Sequence, residues 1–335
     1  MGYIDHIVWA GMASLVAMLV VGGRGIRWMA RQGWIQPTRY EDCPPLQPIQ
    51  QSKQGTPTMG GLIVLAVAAA VAAWSGALAR PEGRMVLVTM IGLGLIGAVD
   101  DLVKLSSPNA GGLRCRPKLL AALGIGGVMG WLLSDPSLGY RSIDVPWMAT
   151  QVDVGLWWIP LAMVVVAGSA HAVNLTDGMD GLASGCLAIV FAAFGLMALF
   201  NGTQDPLSSS RVVGIWSASL AGACAGFLWF NGFPASVFLG DVGALGLGGA
   251  LGVLALVGHA ALVLLVLGGV FVAEAGSVIL QVASYRFRNK RRIFRVAPLH
   301  HHVQLGGVPE PKLVVRFWII SALLAAVALS AVGPR

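Results

Sequence analysis

Five aspartates stand in short polar segments between long apolar runs: Asp100 and Asp101 in GAVDDLVKL, Asp177 and Asp180 in NLTDGMDGLASG, and Asp241 in FLGDVGALG. An ionised carboxylate in hydrocarbon costs about 2.5–3.5 kcal/mol on insertion scales. Acids kept at the ends of apolar runs are therefore either interfacial polarity or working groups. Asp100 and Asp101 lie four and three residues before Lys104, on one face if the segment is helical, and Arg114, Arg116 and Lys118 follow. Asp177 and Asp180 are spaced i, i+3, so on a helix they share a face. Their loop holds no Lys or Arg, and Gly178 and Gly181 leave the backbone open to a ligand. The glycines around Asp241 favour a tight turn and an exposed carboxylate. Five acids with few Cys or His beside them suit a hard, oxygen-loving cation such as Mg2+ rather than zinc.

Cations face these acids from other segments. Lys53 precedes GTPTMGG, a pairing of an ammonium with open backbone N–H groups that suits phosphate, although no Gly-Lys-Ser/Thr follows. His300, His301 and His302 come after a basic, aromatic stretch, Arg286 to Arg295. Successive imidazoles point in different directions, which favours phosphate contact or proton handling over shared chelation of one ion. Glu274 falls inside an apolar run, where an ionisable residue is either functional or hydrogen-bonded to a neighbouring helix. His171 stands three residues before Asn174, near the acids, whereas His6 and His259 fall at the opposite boundary with no evident role. Carboxylates meeting Lys, Arg and His suit a divalent cation that bridges a diphosphate, with the second reactant supplied by a lipid.

The elements that position these groups are membrane spans. Of 335 residues, 56% are hydrophobic and 11% charged, against about 25% charged in soluble domains. That excludes an ordinary soluble domain, and the apolar excess excludes disorder. The four cysteines have no metal-ligand spacing. The net charge of +7 reads as attraction to a membrane surface, not to nucleic acid. Windows of about 20 apolar residues fall near 6–23, 58–79, 85–99, 118–134, 154–173, 182–200, 212–230, 242–258, 260–282 and 314–332, predicting an all-α polytopic membrane protein of about ten transmembrane helices. The first window lacks a basic leader and a small-residue cleavage site, and so reads as a retained span. The loops after odd-numbered spans carry seventeen Lys and Arg against five elsewhere. By the positive-inside rule they face the cytoplasm, with both termini periplasmic. Every polar motif named above falls on that cytoplasmic face. The outer segment 135–153 alternates like a small hairpin around Ile143 to Trp147. The chain reads as one transmembrane catalytic domain, 1–335.

Taken in order, GTPTMGG, the DD pair, NLTDGMDGLASG, FNGFPASVFLGD, FVAEAGSVILQ and APLHHHVQLGGVPEPKLVVRFWII resemble the phospho-N-acetylmuramoyl-pentapeptide transferases, the MraY branch of the polyprenyl-phosphate sugar-1-phosphate transferases. The likeness spans about residues 39–325. It implies ten transmembrane helices, commonly in a homodimer, in the bacterial inner membrane. It also implies Mg2+-dependent transfer of phospho-MurNAc-pentapeptide from UDP-MurNAc-pentapeptide to undecaprenyl phosphate, giving lipid I and UMP. Carried over by motif position, Asp241 is the Mg2+ ligand, Asp100 the base on the lipid phosphate with Asp101 beside it, and His300 a further catalytic group. Direct attack and a covalent double displacement both remain open. The substrate pocket implied comprises Lys53, Thr58, Lys104, Arg116, Lys118, Asn174, Asp177, Asp180, Asn231, Phe238, Gln281, His301 and His302, with Phe238 stacked on uracil. The chain departs from the usual pattern at Gln50, His171, Val242, Ala244, Gln304 and Val308. The competing readings are a transferase using UDP-GlcNAc and a cation-coupled transporter; a transporter would place its acids at the bilayer midplane.

Overall fold

Segments this rich in Ala, Leu, Val and Gly can satisfy their backbone hydrogen bonds in lipid only as helices or as a closed barrel. In the structure, a computed structural model, they are helices. It describes residues 3–35, 53–106, 112–135, 138–148, 150–200 and 208–331. Twelve α-helices run along the described chain: α1 (Tyr3–Arg31), α2 (Gly61–Trp74), α3 (Pro81–Ser106), α4 (Cys115–Leu133), α5 (Trp158–Thr176), α6 (Leu182–Phe200), α7 (Ser209–Asn231), α8 (Gly240–Val257), α9 (Val263–Leu267), α10 (Gly269–Phe287), α11 (Leu299–Gln304) and α12 (Glu310–Ser330).

Each of the ten apolar windows contains a helix. Seven of these helices are long and apolar enough to cross a membrane: α1, α3, α5 with the turn before it, α6, α7, α8 and α12. The other windows differ from the simple expectation for local reasons. The window at 58–79 yields only the 14 residues of α2, about 21 Å of helix. Its first residues are drawn into backbone pairing with a distant loop: Gly60 and Gly61 donate their N–H groups to the carbonyls of Phe238 and Leu239 at 2.9 and 2.8 Å. The window at 260–282 is broken at Gly268, which ends α9 and begins α10. The first turn of α4 carries Arg116 and Lys118, and α10 carries Glu274 and Arg286, charges that interrupt both apolar runs.

Helix α8 is the hub. Its sequence, GDVGALGLGGALGVLALV, is apolar on every side, as an axial helix must be, and every residue except Asp241 is buried. Helices α3 and α5 pack along it, α4 packs on α5, and α1, α6 and α7 form a second packed group. Without a hydrophobic difference between lipid and protein, small residues drive such contacts by letting backbones approach. Gly97 on α3 shows how close: a Cβ there would lie 2.2 Å from the carbonyl oxygen of Asp241. This contact sets the ends of α3 and α8 side by side. The outside of the bundle stays apolar, with Leu95, Trp131, Val164, Trp229, Ile279 and Leu323 all exposed, the surface expected where lipid is the solvent.

On the opposite side from the acids, the expected hairpin is present: β1 (Ser142–Asp144) pairs antiparallel with β2 (Gln151–Asp153), Ser142 opposite Asp153. Tyr140 fastens it to the start of α3 by donating its hydroxyl to Glu82 at 3.0 Å, and Arg80 pairs with the same carboxylate at 2.6 Å. Burial, and then the Glu82 charge, push the Tyr140 phenol up to about 12, so it remains a donor at any physiological pH.

Because Gly97 has no room for a methyl group, Gly97→Ala is expected to force α3 and α8 apart. Overpacking costs about 1–3 kcal/mol, and about 2–4 °C of Tm per kcal/mol is typical of chains somewhat smaller than this one. Thermal unfolding in detergent tests this, with Gly124→Ala as control because Gly124 has open space around it; equal Tm values for the two variants would refute the close-approach argument.

Candidate functional site

The C-terminal end of α3 and the N-terminal end of α8 bring Asp100, Asp101 and Asp241 together. One carboxylate oxygen from each lies within 4.8 Å of the others. Asp100 and Asp101 are buried and Asp241 is partly open, at 17% exposure. Lys104, one helical turn along α3, reaches all three, at 2.5 Å to Asp100, 3.8 Å to Asp101 and 3.1 Å to Asp241. This is the shared face that its i+3 and i+4 spacing predicts. Lys118, from the first turn of α4, adds contacts of 3.3 Å to Asp100 and 3.2 Å to Asp241. Backbone N–H groups complete the shell, Leu113 donating to Asp100 at 2.5 Å and Val242 to Asp101 at 3.1 Å. Asn174, near the end of α5, lies beside the Asp241 carboxylate. Its neighbour one turn back, His171, leaves a buried Nε2 without a partner.

A second cluster lies around Lys53. Its ammonium pairs with Asp180 and with Glu310, each at 2.6 Å. Glu310 also accepts the N–H of Asp180 at 2.9 Å, while Asp180 accepts the N–H of Ala235 at 3.0 Å. Three expectations are corrected here. Asp177 and Asp180 do not share a helical face, because α5 ends at Thr176 and residues 177–181 form a turn. Nor is Asp180 uncompensated: its counter-ion comes from a segment 127 residues earlier. The backbone of GTPTMGG is likewise not open to a phosphate at Thr58, Gly60 or Gly61, whose N–H groups donate to Trp34, Phe238 and Leu239.

Asn231 ties this turn to the α7–α8 loop. Its carbonyl accepts from Gly181 N–H at 3.2 Å and the Ser184 hydroxyl at 2.6 Å, and its amide donates to Val237 at 2.9 Å. Phe238, partly exposed, is anchored through its N–H to Pro57 at 2.8 Å. Thr58 is buried beside it, and Arg116 is exposed at the start of α4.

The histidines diverge, as consecutive residues must. His300 pairs through Nδ1 with Glu274 at 3.0 Å. His301 faces Gln304 at 3.2 Å, and His302 accepts the N–H of Arg295 at 3.1 Å, its ring edge-on to Phe294. Gln281 clamps the loop after α10, accepting from Ile293 and Phe294 N–H and donating to the Phe294 carbonyl. No histidine joins the acid cluster among the described residues. Burial above all holds His301 down at about 4, so it is neutral at physiological pH. Glu310 was not singled out from the sequence. Its only signal was a lone acid between two prolines, and its counter-ion is 257 residues away. Gln50 lies outside the described residues.

Oxygen donors converging beside two ammonium groups form a site for a hard cation and the anions it would hold, placed where helices end. Comparison with known proteins defines the class: residues 84–259 match Glycosyl transferase family 4, and residues 53–65 match the Phospho-N-acetylmuramoyl-pentapeptide-transferase signature 1. The chain is 43% identical to the phospho-N-acetylmuramoyl-pentapeptide-transferase of Solidesulfovibrio magneticus, over 97% of this chain and 92% of that protein. It is 42% identical to that of Oleidesulfovibrio alaskensis (98% and 93% covered) and 40% identical to that of Thermodesulfovibrio yellowstonii (95% and 90%). The chain belongs to the phospho-N-acetylmuramoyl-pentapeptide-transferase family.

Asp177 supplies a test of the site's electrostatics. Burial, then the charges of Asp241 and Asp101, push its carboxyl from 3.8 up to about 8. With the folded value above the unfolded one, the unfolded chain sheds its proton first. Stability from this group therefore falls as pH rises from about 4 towards 8. Asp177→Asn is expected to be more stable than the parent, with a gap that widens from pH 5 to pH 8 and reaches about 2 °C or more. Tm values of the two proteins in detergent check this; a gap independent of pH would contradict it.

Proposed function

We propose that this protein transfers phospho-MurNAc-pentapeptide from UDP-MurNAc-pentapeptide to undecaprenyl phosphate, releasing UMP and forming lipid I, the first membrane step of peptidoglycan synthesis. It does so as a single transmembrane catalytic domain with ten spans and both termini periplasmic, as a homodimer in the bacterial inner membrane, with its active site on the cytoplasmic face. The observation that carries the reading is the triad of Asp100, Asp101 and Asp241 with Lys104 and Lys118 at the ends of apolar helices. The near full-length likeness to named transferases supports the substrates.

The donor set fits Mg2+: three carboxylates within 4.8 Å, with no thiol or imidazole among them. Asp241, with Asp100 and Asp101 beside it, would hold the ion. Once bound, Mg2+ offsets the negative charge of the diphosphate. The remaining work belongs to the chain's own groups. An oxygen of the lipid phosphate forms a bond to the sugar-bearing phosphorus, and the bond from that phosphorus to the UMP oxygen breaks. Charge in a loose phosphoryl-transfer transition state spreads over the equatorial oxygens. Lys104 and Lys118 stand ready to receive it, since a phosphate entering the cluster replaces the carboxylates as their partner. Asp100, fixed by the N–H of Leu113, orients the attacking lipid phosphate and takes its proton if it arrives protonated. Phe238 stacks on uracil, and Lys53, Asn174, Asp177, Asp180 and the histidines line the nucleotide-sugar side.

UMP release by purified protein in detergent, with undecaprenyl phosphate and Mg2+, tests the reading. Turnover is expected with UDP-MurNAc-pentapeptide and none with UDP-GlcNAc; turnover with UDP-GlcNAc alone, or with neither, would refute the substrate assignment. Asp241→Asn is expected to lower turnover by about a hundredfold or more with the fold retained. Full Mg2+-dependent activity in that variant would remove Asp241 from the metal site.

A further inference from the structure

Glu274 and His300 come from different elements, α10 and α11, and both are fully buried, at 0% exposure. The Glu274 carboxylate accepts the backbone N–H of His300 at 3.1 and 3.3 Å, and faces its Nδ1 at 3.0 Å. An ionised carboxylate can only accept. Nδ1 therefore carries a proton, and in the neutral ring Nε2 keeps the lone pair. That second nitrogen is buried with no hydrogen-bond partner.

What it faces is informative. A Cβ on Gly178 would lie 2.3 Å from Nε2, so the imidazole presses against the one residue of the TDG turn that can admit it, between Asp177 and Asp180. A buried polar atom left unsatisfied costs about 1–3 kcal/mol. Here one nitrogen is locked by a carboxylate from another helix while the other is aimed, unpartnered, at the turn that carries two of the site's aspartates. The His301 ring lies tilted against it, 4.2 Å between centroids, and limits ring rotation.

We propose that Glu274 is a positioning residue: it fixes His300 in the Nδ1–H form and presents Nε2, beside Gly178, as a hydrogen-bond acceptor for a hydroxyl or amide donor of the nucleotide-linked amino sugar. The identity of that donor rests on the proposed function. The fixed tautomer and its dependence on Glu274 do not. A purely structural Glu274 would stabilise α11 against α10 without selecting which nitrogen is protonated.

The experiment uses the full chain in detergent, labelled with 15N-histidine, with the His300 signals assigned by their loss in His300→Gln. The expected result is a protonated Nδ1 and an unprotonated Nε2 in the parent, and a shift towards the Nε2–H form in Glu274→Gln, where the amide NH2 can donate to Nδ1. In UMP-release assays, Glu274→Gln and His300→Gln should each lower kcat/KM by about tenfold or more. The double variant should be no worse than His300→Gln alone, because Glu274 acts through His300. An Nε2–H form in the parent overturns the proposal, as do multiplicative losses in the double variant. Should the parent show no turnover with either sugar nucleotide, the functional reading fails, while the 15N spectra of the parent and of Glu274→Gln still decide the tautomer claim. If Glu274→Gln does not fold, the parent spectrum decides it alone.

Discussion

The rest of the structure depends on holding three carboxylates together at a membrane boundary. Like charges within a few ångströms repel strongly where water is scarce, by about 4 kcal/mol at 4 Å under an effective dielectric of 20. Lys104 and Lys118 make the arrangement tenable, leaving a cluster of three acids and two bases with one net negative charge. This balance has a chemical use. On the proposed function, a divalent cation held by these carboxylates would reverse the sign of the cluster and so favour an anionic diphosphate.

Holding those charges in place is a packing problem, and small residues solve it. The contact of Gly97 with the Asp241 carbonyl aligns the ends of two closely packed helices, so the cluster inherits their rigidity. Around it, loops distant in sequence are laced by hydrogen bonds. GTPTMGG pairs with the segment leading into α8, and Asn231 joins the TDG turn to the α7–α8 loop. Glycines that read from the sequence as openings for a ligand are in several places points of close backbone contact.

The helical architecture was largely legible because apolar runs of span length admit few structures. The Lys104 pairing was legible because i+3 and i+4 spacing is local. So was the divergence of the three histidines. What could not be read was long-range pairing. Asp180 looked uncompensated because its partner, Lys53, is far away in sequence, and Glu310 passed unnoticed for the same reason. Glu274 was left between a functional and a structural role. Only the fold shows that its carboxylate takes both the backbone and the ring of His300. The apolar run at 58–79 promised a longer helix than forms, because hydropathy does not register that its first residues pair with a loop 178 residues on.

The ammonium of Lys53 joins Asp180 to Glu310, and Glu310 is the first residue of the last long helix. A nascent chain inserting from its N-terminus would carry Asp100, Asp101 and Asp241 into the bilayer long before residue 310 leaves the ribosome. Until then the TDG turn lacks its contact with Glu310, and Lys53 lacks one of its two carboxylate partners. A chain cut short before α12 would thus have its acid cluster but not the Glu310 contacts that join Lys53 to the TDG turn.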